Sequence, residues 1–171
     1  VLATFRPPVR TGIRLHRRID SFTYSLPEIA GMREKLPPGF RRYGGIIIDI
    51  ALDHELARRW PAERDQTLAS FDRGVREMLA RHEDEVPAGL RRFMDYADRR
   101  GLFAAYREES EILHSLRGIG RRLSRPNPLH RVEEIWGEFA PRVRACADTV
   151  FRKVQLDVAA WLSSRTTTTG S

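Results

Sequence analysis

Proline stands at the head of almost every apolar stretch in this chain. Pro7-Pro8, Pro27, Pro37-Pro38, Pro87 and Pro128 each precede a segment whose apolar side chains recur at helical spacing. Proline is tolerated in the first turn of a helix, where its missing N–H would lack a partner anyway, and is disfavoured in helix interiors. The pattern predicts helices over Pro8 to Ser21, Pro27 to Lys35 and Pro38 to Trp60, the last with Phe40, Ile47, Ile50 and Leu56 among its apolar positions. Asp65 can cap a helix carrying Leu68, Phe71, Val75, Met78 and Leu79, and Pro87 begins another with Leu90, Phe93, Met94 and Ala97. Leu102 to Leu123 and Leu129 to Leu162 complete the set, and Pro141 should kink or split the last of them. Ile46-Ile47-Ile48 is β-branched enough for a strand, but its helical flanks oppose that reading. The expected fold is all-α: a single-domain bundle of about six to eight helices over residues 1–165, with the threonine-rich residues 166–171 as a flexible tail.

A chain of 171 residues can bury a substantial core without disulfides or structural zinc. Its single cysteine, Cys146, excludes an internal disulfide and a Cys-rich zinc site, which makes a reducing, cytoplasmic setting the natural expectation. Cys146 lies between Val143 and Val150 and reads as a small core residue. No apolar run approaches the roughly 18 residues a membrane span needs, and no signal peptide is recognisable, so a soluble protein is expected. The net charge is +7, and of the 30 basic residues all but Lys35 and Lys153 are arginine. The planar guanidinium suits carboxylates and phosphates, which fits nucleic acid, a phosphate ester or an acidic protein. Composition leaves these three open.

The chemistry concentrates in two short segments. His16 and Asp20, four residues apart, share one helical face, a spacing that by itself describes a surface ion pair. Asp49 and Asp53 are also four apart, and they stand within Ile46, Ile47, Ile48, Ile50, Ala51 and Leu52. That setting predicts a pair of buried like charges, which requires a counter-ion, a shared proton or an arginine. One divalent metal neutralises several carboxylates at once. His54 follows Asp53 directly, as in HD-type phosphohydrolases, where the couple offers a nitrogen and an oxygen ligand from one turn of helix. Together the five residues point to a metal-dependent hydrolase. His82, His114 and His130 stand alone and read as solvated or capping residues, while Trp60, Trp136 and Trp161 fall at helical spacing and read as core or groove lining. Gly118-Ile119-Gly120 lacks the preceding strand of a phosphate loop, and no nucleophile elbow occurs.

At these residues a resemblance becomes specific. Gly12-Ile13-Arg14-Leu15-His16-Arg17-Arg18-Ile19-Asp20-Ser21-Phe22-Thr23, then Arg41-Arg42-Tyr43, Asp49, Asp53-His54 and Leu56-Ala57-Arg58-Arg59-Trp60 resemble the bacterial acyl carrier protein phosphodiesterase family, most clearly from Pro8 to Trp60. The resemblance implies an HD-phosphohydrolase-like helical fold and a divalent metal, typically Mn²⁺. It also implies removal of the 4′-phosphopantetheine arm from holo acyl carrier protein, an acidic protein substrate, with neither nucleic acid nor membrane as partner. His16, Asp20, Asp53 and His54 are then the metal-ligand candidates, with Asp49 a ligand or a residue that orients one. Arg17, Arg18, Arg41 and Arg42, with Tyr24, are the substrate-binding candidates. Tyr24 and Leu26 depart from the Phe-Thr-Asp-x-His-Pro common in the family, and the His-x-His and Gly-Asp-Phe that usually precede it do not occur before Pro7, so an incomplete N-terminal segment is expected. The alternatives are a nucleotide phosphohydrolase of HD type and a basic helical binding protein whose acids pair with its arginines.

Overall fold

The computed structural model describes residues 6–60, 66–82, 101 and 103–166. Among them the chain forms seven α-helices and two 3-10 helices and no strand. The helices are α1 (Pro7–Ser25), α2 (Pro27–Glu34), α3 (Pro38–Arg41), α4 (Gly44–Arg58), α5 (Leu68–Ala80), α6 (Glu109–Arg122) and α7 (Glu133–Thr166), with 3-10 helices at Ala104–Arg107 and Pro128–Arg131. The chain is all-α, as expected. The helix predicted to begin at Pro87 and the cap predicted at Asp65 lie outside the described residues.

Proline sets the helix starts, and residues before proline set the ends. Pro7, Pro27 and Pro38 open α1, α2 and α3. A residue preceding proline is pushed out of the helical region; Leu26 accordingly sits extended at φ −72°, ψ 135°, closing α1 and opening α2 at once. Its N–H is not wasted, since it donates to the Thr23 carbonyl at 3.1 Å. Three stretches differ from expectation. The one predicted from Leu102 to Leu123 is a 3-10 helix, Ala104–Arg107, and then α6, with Glu108 extended between them. The stretch Pro38 to Trp60 is two helices, because the chain turns at Arg42-Tyr43 and restarts at Gly44. Pro141 neither splits nor ends α7, which runs 34 residues through it. The carbonyl that a proline at 141 leaves without its helical donor belongs to Gly137.

Contacts divide the chain into two compact units, residues 1–48 with 138–171 and residues 49–137, so α4 and α7 each contribute to both. In the first unit the core is Leu26, Ile29, Met32, Leu36, Phe40, Ile47 and Ile48 with Phe139, Ala140, Val143, Ala147 and Val150. The α7 members recur every three or four residues, the spacing of one buried helical stripe. Cys146 is half-buried, its thiol against the Val143 carbonyl and the Met32 sulfur, which is the packing role expected of it. Arg18 of α1 forks Asp157 of α7 at 2.8 and 2.6 Å, and Lys153 reaches Glu28 at 2.5 Å. The hydrogen bond from Lys153 holds the Glu28 carboxyl below its ordinary range.

The second unit is built on Ala51, Leu52, Ala57, Leu68, Ile112, Leu116, Leu129, Val132 and Trp136. Thr67 caps α5 by accepting the Ser70 N–H at 3.1 Å. Acids in the first turn of α6 and arginines in its last match the helix dipole. Asn127 binds the Gly120 carbonyl at 2.9 Å and accepts the Leu129 N–H at 3.2 Å, folding the following 3-10 helix onto α6. Gly120 permits that approach: a Cβ there would stand 2.7 Å from Asn127 Oδ1 and 2.9 Å from Leu129 Cβ. Gly120→Ala should therefore lose about 1–3 kcal/mol, the usual cost of overpacking. Gly118→Ala, whose Cβ would meet the Arg121 guanidinium at 3.8 Å, should instead gain about 0.5–1 kcal/mol of helix propensity. Chemical denaturation of the two variants reads both signs.

Candidate active site

In the first unit, the His16–Asp20 strip of α1 faces outward, since Leu15 and Ile19 occupy its inner side half-buried. His16 Nε2 lies 3.6 Å from Asp20 Oδ2, with the two side chains 76% and 49% exposed. The arginines divide into two kinds. Arg18 is engaged with Asp157, and Arg41 donates from Nε to the Leu36 carbonyl at 2.8 Å while its own carbonyl accepts from Arg33 at 3.3 Å. Arg17 and Arg42 are exposed. Tyr24 is also exposed and its hydroxyl lies against Gly45, where a Cβ would be 3.1 Å away. Leu26 is buried, so the position where the resembled pattern carries histidine serves the core here.

The second unit holds the outer half of α4, and here the expected burial is corrected. Asp49 and Asp53 are exposed, as is Leu56; the buried residues are Ala51, Leu52, His54, Glu55 and Ala57. Helical geometry explains the difference. At about 100° per residue, positions 49, 53 and 56 share one side, and the isoleucines beside them conceal that polar side in the linear sequence. Asp53 keeps access to water, yet its carboxyl is pushed up to about 6, first by partial desolvation and second by the charge of Asp49. Glu55, buried, is balanced by Arg59 at 2.6 Å and Arg58 at 3.7 Å.

His54 turns the other way. It is 3% exposed, its Nδ1 lies 2.7 Å from the Tyr106 carbonyl, and its ring sits 6.4 Å from that of Trp136 at 59°. A carbonyl oxygen only accepts, so the proton is assigned to Nδ1, and Nε2 carries the lone pair. A histidine held by a carbonyl on one nitrogen presents the other as a ligand or a base. The Trp136 indole N–H is buried and makes no hydrogen bond among the described residues. Tyr106 and Glu55 were not singled out by sequence reasoning, which read Trp136 as core or groove lining. A backbone carbonyl leaves no sequence signature, and Trp136 was legible only as an apolar side chain.

The structure thus pairs His16 with Asp20 in one unit and brings Asp49 near Asp53 in the other, with His54 anchored on Tyr106. Among the described residues no three His, Cys, Asp or Glu side chains gather into a metal-binding group. The donor chemistry nevertheless suits a divalent cation: carboxylates whose mutual repulsion a cation relieves, and imidazole nitrogens. His82 and His130 bond the carbonyls of Met78 and Asn127, at 2.8 and 3.0 Å, in the capping roles expected of them.

The raised carboxyl of Asp53 has a sign that can be read. A folded-state value above the ordinary 3.8 means that the protonated form is favoured by the fold, so this contribution to stability is present below pH 4 and is lost as the pH rises through about 6. Asp53→Asn should therefore melt above the parent at pH 8 and level with it near pH 4 in metal-free buffer. Asp49→Asn should lower the Asp53 titration midpoint, followed by carboxyl ¹³C shifts, without restoring it fully, because desolvation is the larger cause.

Comparison with known proteins supplies the family. The acyl carrier protein phosphodiesterase family matches residues 1–154. A protein of that name from Pectobacterium atrosepticum is 28% identical over 158 residues, 85% of this chain and 82% of the relative. Those from Salmonella agona and Escherichia coli are 31% and 30% identical, covering 85% and 84% of this chain and 82% and 81% of theirs. No solved structure matches. A match across nine-tenths of the helical chain, and not only across the first helices that carry the motif, means that this chain belongs to the acyl carrier protein phosphodiesterase family.

Proposed function

We propose that this protein hydrolyses the phosphodiester that joins 4′-phosphopantetheine to holo acyl carrier protein, releasing the apo protein. The observation that carries the reading is the family match over residues 1–154, which includes every candidate site residue. The reaction needs an activated water, neutralised phosphoryl oxygens and a protonated serine leaving group. The candidates to hold a divalent metal, Mn²⁺ by family resemblance, are His16 and Asp20 of the first unit and Asp53 and His54 of the second; the metal would supply Lewis acidity and lower the pKa of a bound water. Asp49 would share in holding or orienting it. His54 contributes an imidazole whose free nitrogen is set by the Tyr106 carbonyl, and Trp136 a buried N–H suited to a water or phosphoryl oxygen.

An acidic carrier suits a chain of net charge +7. Of the four arginines the resemblance marks, Arg17 and Arg42 are the better candidates to meet it, because Arg18 and Arg41 are committed to internal partners. Among the described residues no helix is long and apolar enough to cross a membrane, and we place the protein in the cytoplasm, where carrier proteins act.

The reading is tested by incubating the protein with holo acyl carrier protein and Mn²⁺ and following loss of the arm by intact mass. Asp53→Ala should reduce turnover by at least about 100-fold, the upper end of the loss from removing even a residue that only orients a ligand, and should lower bound manganese while helical content stays. Equal metal content and turnover in variant and parent would sink the assignment. Arg17→Glu should slow carrier association, with the effect shrinking above about 0.15 M salt, where the Debye length is roughly 8 Å. Arg18→Ala should instead lower the melting temperature, since it leaves Asp157 without its fork.

A further inference from the structure

Asp72 is 2% exposed on α5, eighteen residues after His54 and outside every motif singled out in the sequence. Buried carboxylates are rare unless something requires them. This one accepts the Phe103 backbone N–H at 2.7 Å, with Arg76 at 3.5 Å balancing its charge. Phe103 is the residue from which the 3-10 helix Ala104–Arg107 starts, and its carbonyl accepts the Tyr106 N–H at 3.2 Å. The Tyr106 carbonyl is the acceptor for His54 Nδ1. An unbroken series of hydrogen bonds therefore leads from a buried acid, through one turn of 3-10 helix, to the ring nitrogen that decides the His54 tautomer.

Three further contacts hold that turn in place. Phe103 packs on Phe71 of α5 with ring centroids 5.5 Å apart, and Phe71 in turn meets Trp60 at 5.0 Å. Arg107 Nε donates to the Ala57 carbonyl at 3.1 Å, tying the far end of the turn to α4 three residues beyond His54. Gly101 takes φ +82°, a conformation side chains resist, and a Cβ there would stand 3.5 Å from Asp72 Oδ2. Each contact fixes where the Tyr106 carbonyl points, and only Asp72 does so by accepting the N–H at the start of the turn. We infer that Asp72 is a positioning residue: by anchoring the turn at Phe103 it holds the Tyr106 carbonyl on His54 Nδ1 and so keeps the His54 Nε2 lone pair available to a ligand. The consequence for catalysis rests on the function proposed above; the consequence for the tautomer does not.

The ring ¹⁵N shifts of His54 in the protein at pH 8 test the inference. The parent should show the proton on Nδ1. Asp72→Ala should convert this to the mixture of tautomers of an unanchored imidazole, and Asp72→Asn, which keeps an acceptor oxygen, should return it to Nδ1. With Mn²⁺ as the probe, Asp72→Ala should also weaken binding about 10–100-fold, as expected when a residue that orients a ligand is lost. Should Asp72→Ala not fold, Gly101→Ala strains the same turn while keeping the carboxylate in place, and should move the tautomer in the same direction. Parent-like His54 shifts in Asp72→Ala, or in Gly101→Ala where that variant replaces it, would overturn the inference, as would Asp72→Asn failing to restore them. A shifted tautomer with unchanged Mn²⁺ affinity and turnover would uphold Asp72 as a positioning residue and remove His54 from the proposed catalytic set.

Discussion

α4 has to bury one side and hydrate the other within fifteen residues, and its rotation about its own axis decides every chemical property described above. Ile47, Ile48, Ala51 and Leu52 are buried to within 7%. Burying four such side chains contributes on the order of several kcal/mol, at roughly 1.5–3 kcal/mol for each large one. No realistic gain from turning the aspartates inward could offset that. With those positions inside, Asp49 and Asp53 must face out and His54 and Glu55 must face in. The two inward polar residues then need partners, which the second unit provides as the Tyr106 carbonyl for one and arginines for the other.

The same division of labour separates the arginines. A guanidinium that forks Asp157 or grips the Leu36 carbonyl has its donors in use and its rotamer restricted. Such a residue braces helices, and removing it leaves a charge or a carbonyl without its partner. An exposed arginine such as Arg17 or Arg42 keeps its fork for an anion that arrives from solution. Arginine abundance therefore overstates the surface available to a partner. Part of it staples elements distant in sequence, as with Arg18 on Asp157, 139 residues away, and Arg107 on the Ala57 carbonyl.

Local signals were legible in the sequence wherever one residue determines the backbone. Pro7, Pro27 and Pro38 mark helix starts, and Leu26 ends a helix because proline follows it. The break between α3 and α4 was missed, because the apolar rhythm continues across Arg42-Tyr43 while the chain does not. Pro141 does not split the helix, since the one lost hydrogen bond is offset by the buried stripe from Val143 to Val150. The Asp49–Asp53 pair was legible as chemistry and misread as buried, because isoleucine on both sides of a helix hides which side is wet. Asp72 and Tyr106 were beyond reach: their partners lie 31 and 52 residues away, and both contacts end on backbone atoms that any residue type would supply.

The adjacency of Asp53 and His54 carries a last consequence. Neighbours on a helix point about 100° apart, and here one is exposed and the other buried. A ligand that uses both has to lie where the wet and dry sides of α4 meet. On the wet side Asp53 carries a carboxyl raised to about 6, first by partial desolvation and second by the charge of Asp49. On the dry side His54 supplies a nitrogen whose direction is dictated by Tyr106 rather than by solvent. A cation at that border would relieve the first residue and would need little reorganisation of the second, whose ring is already fixed on the Tyr106 carbonyl.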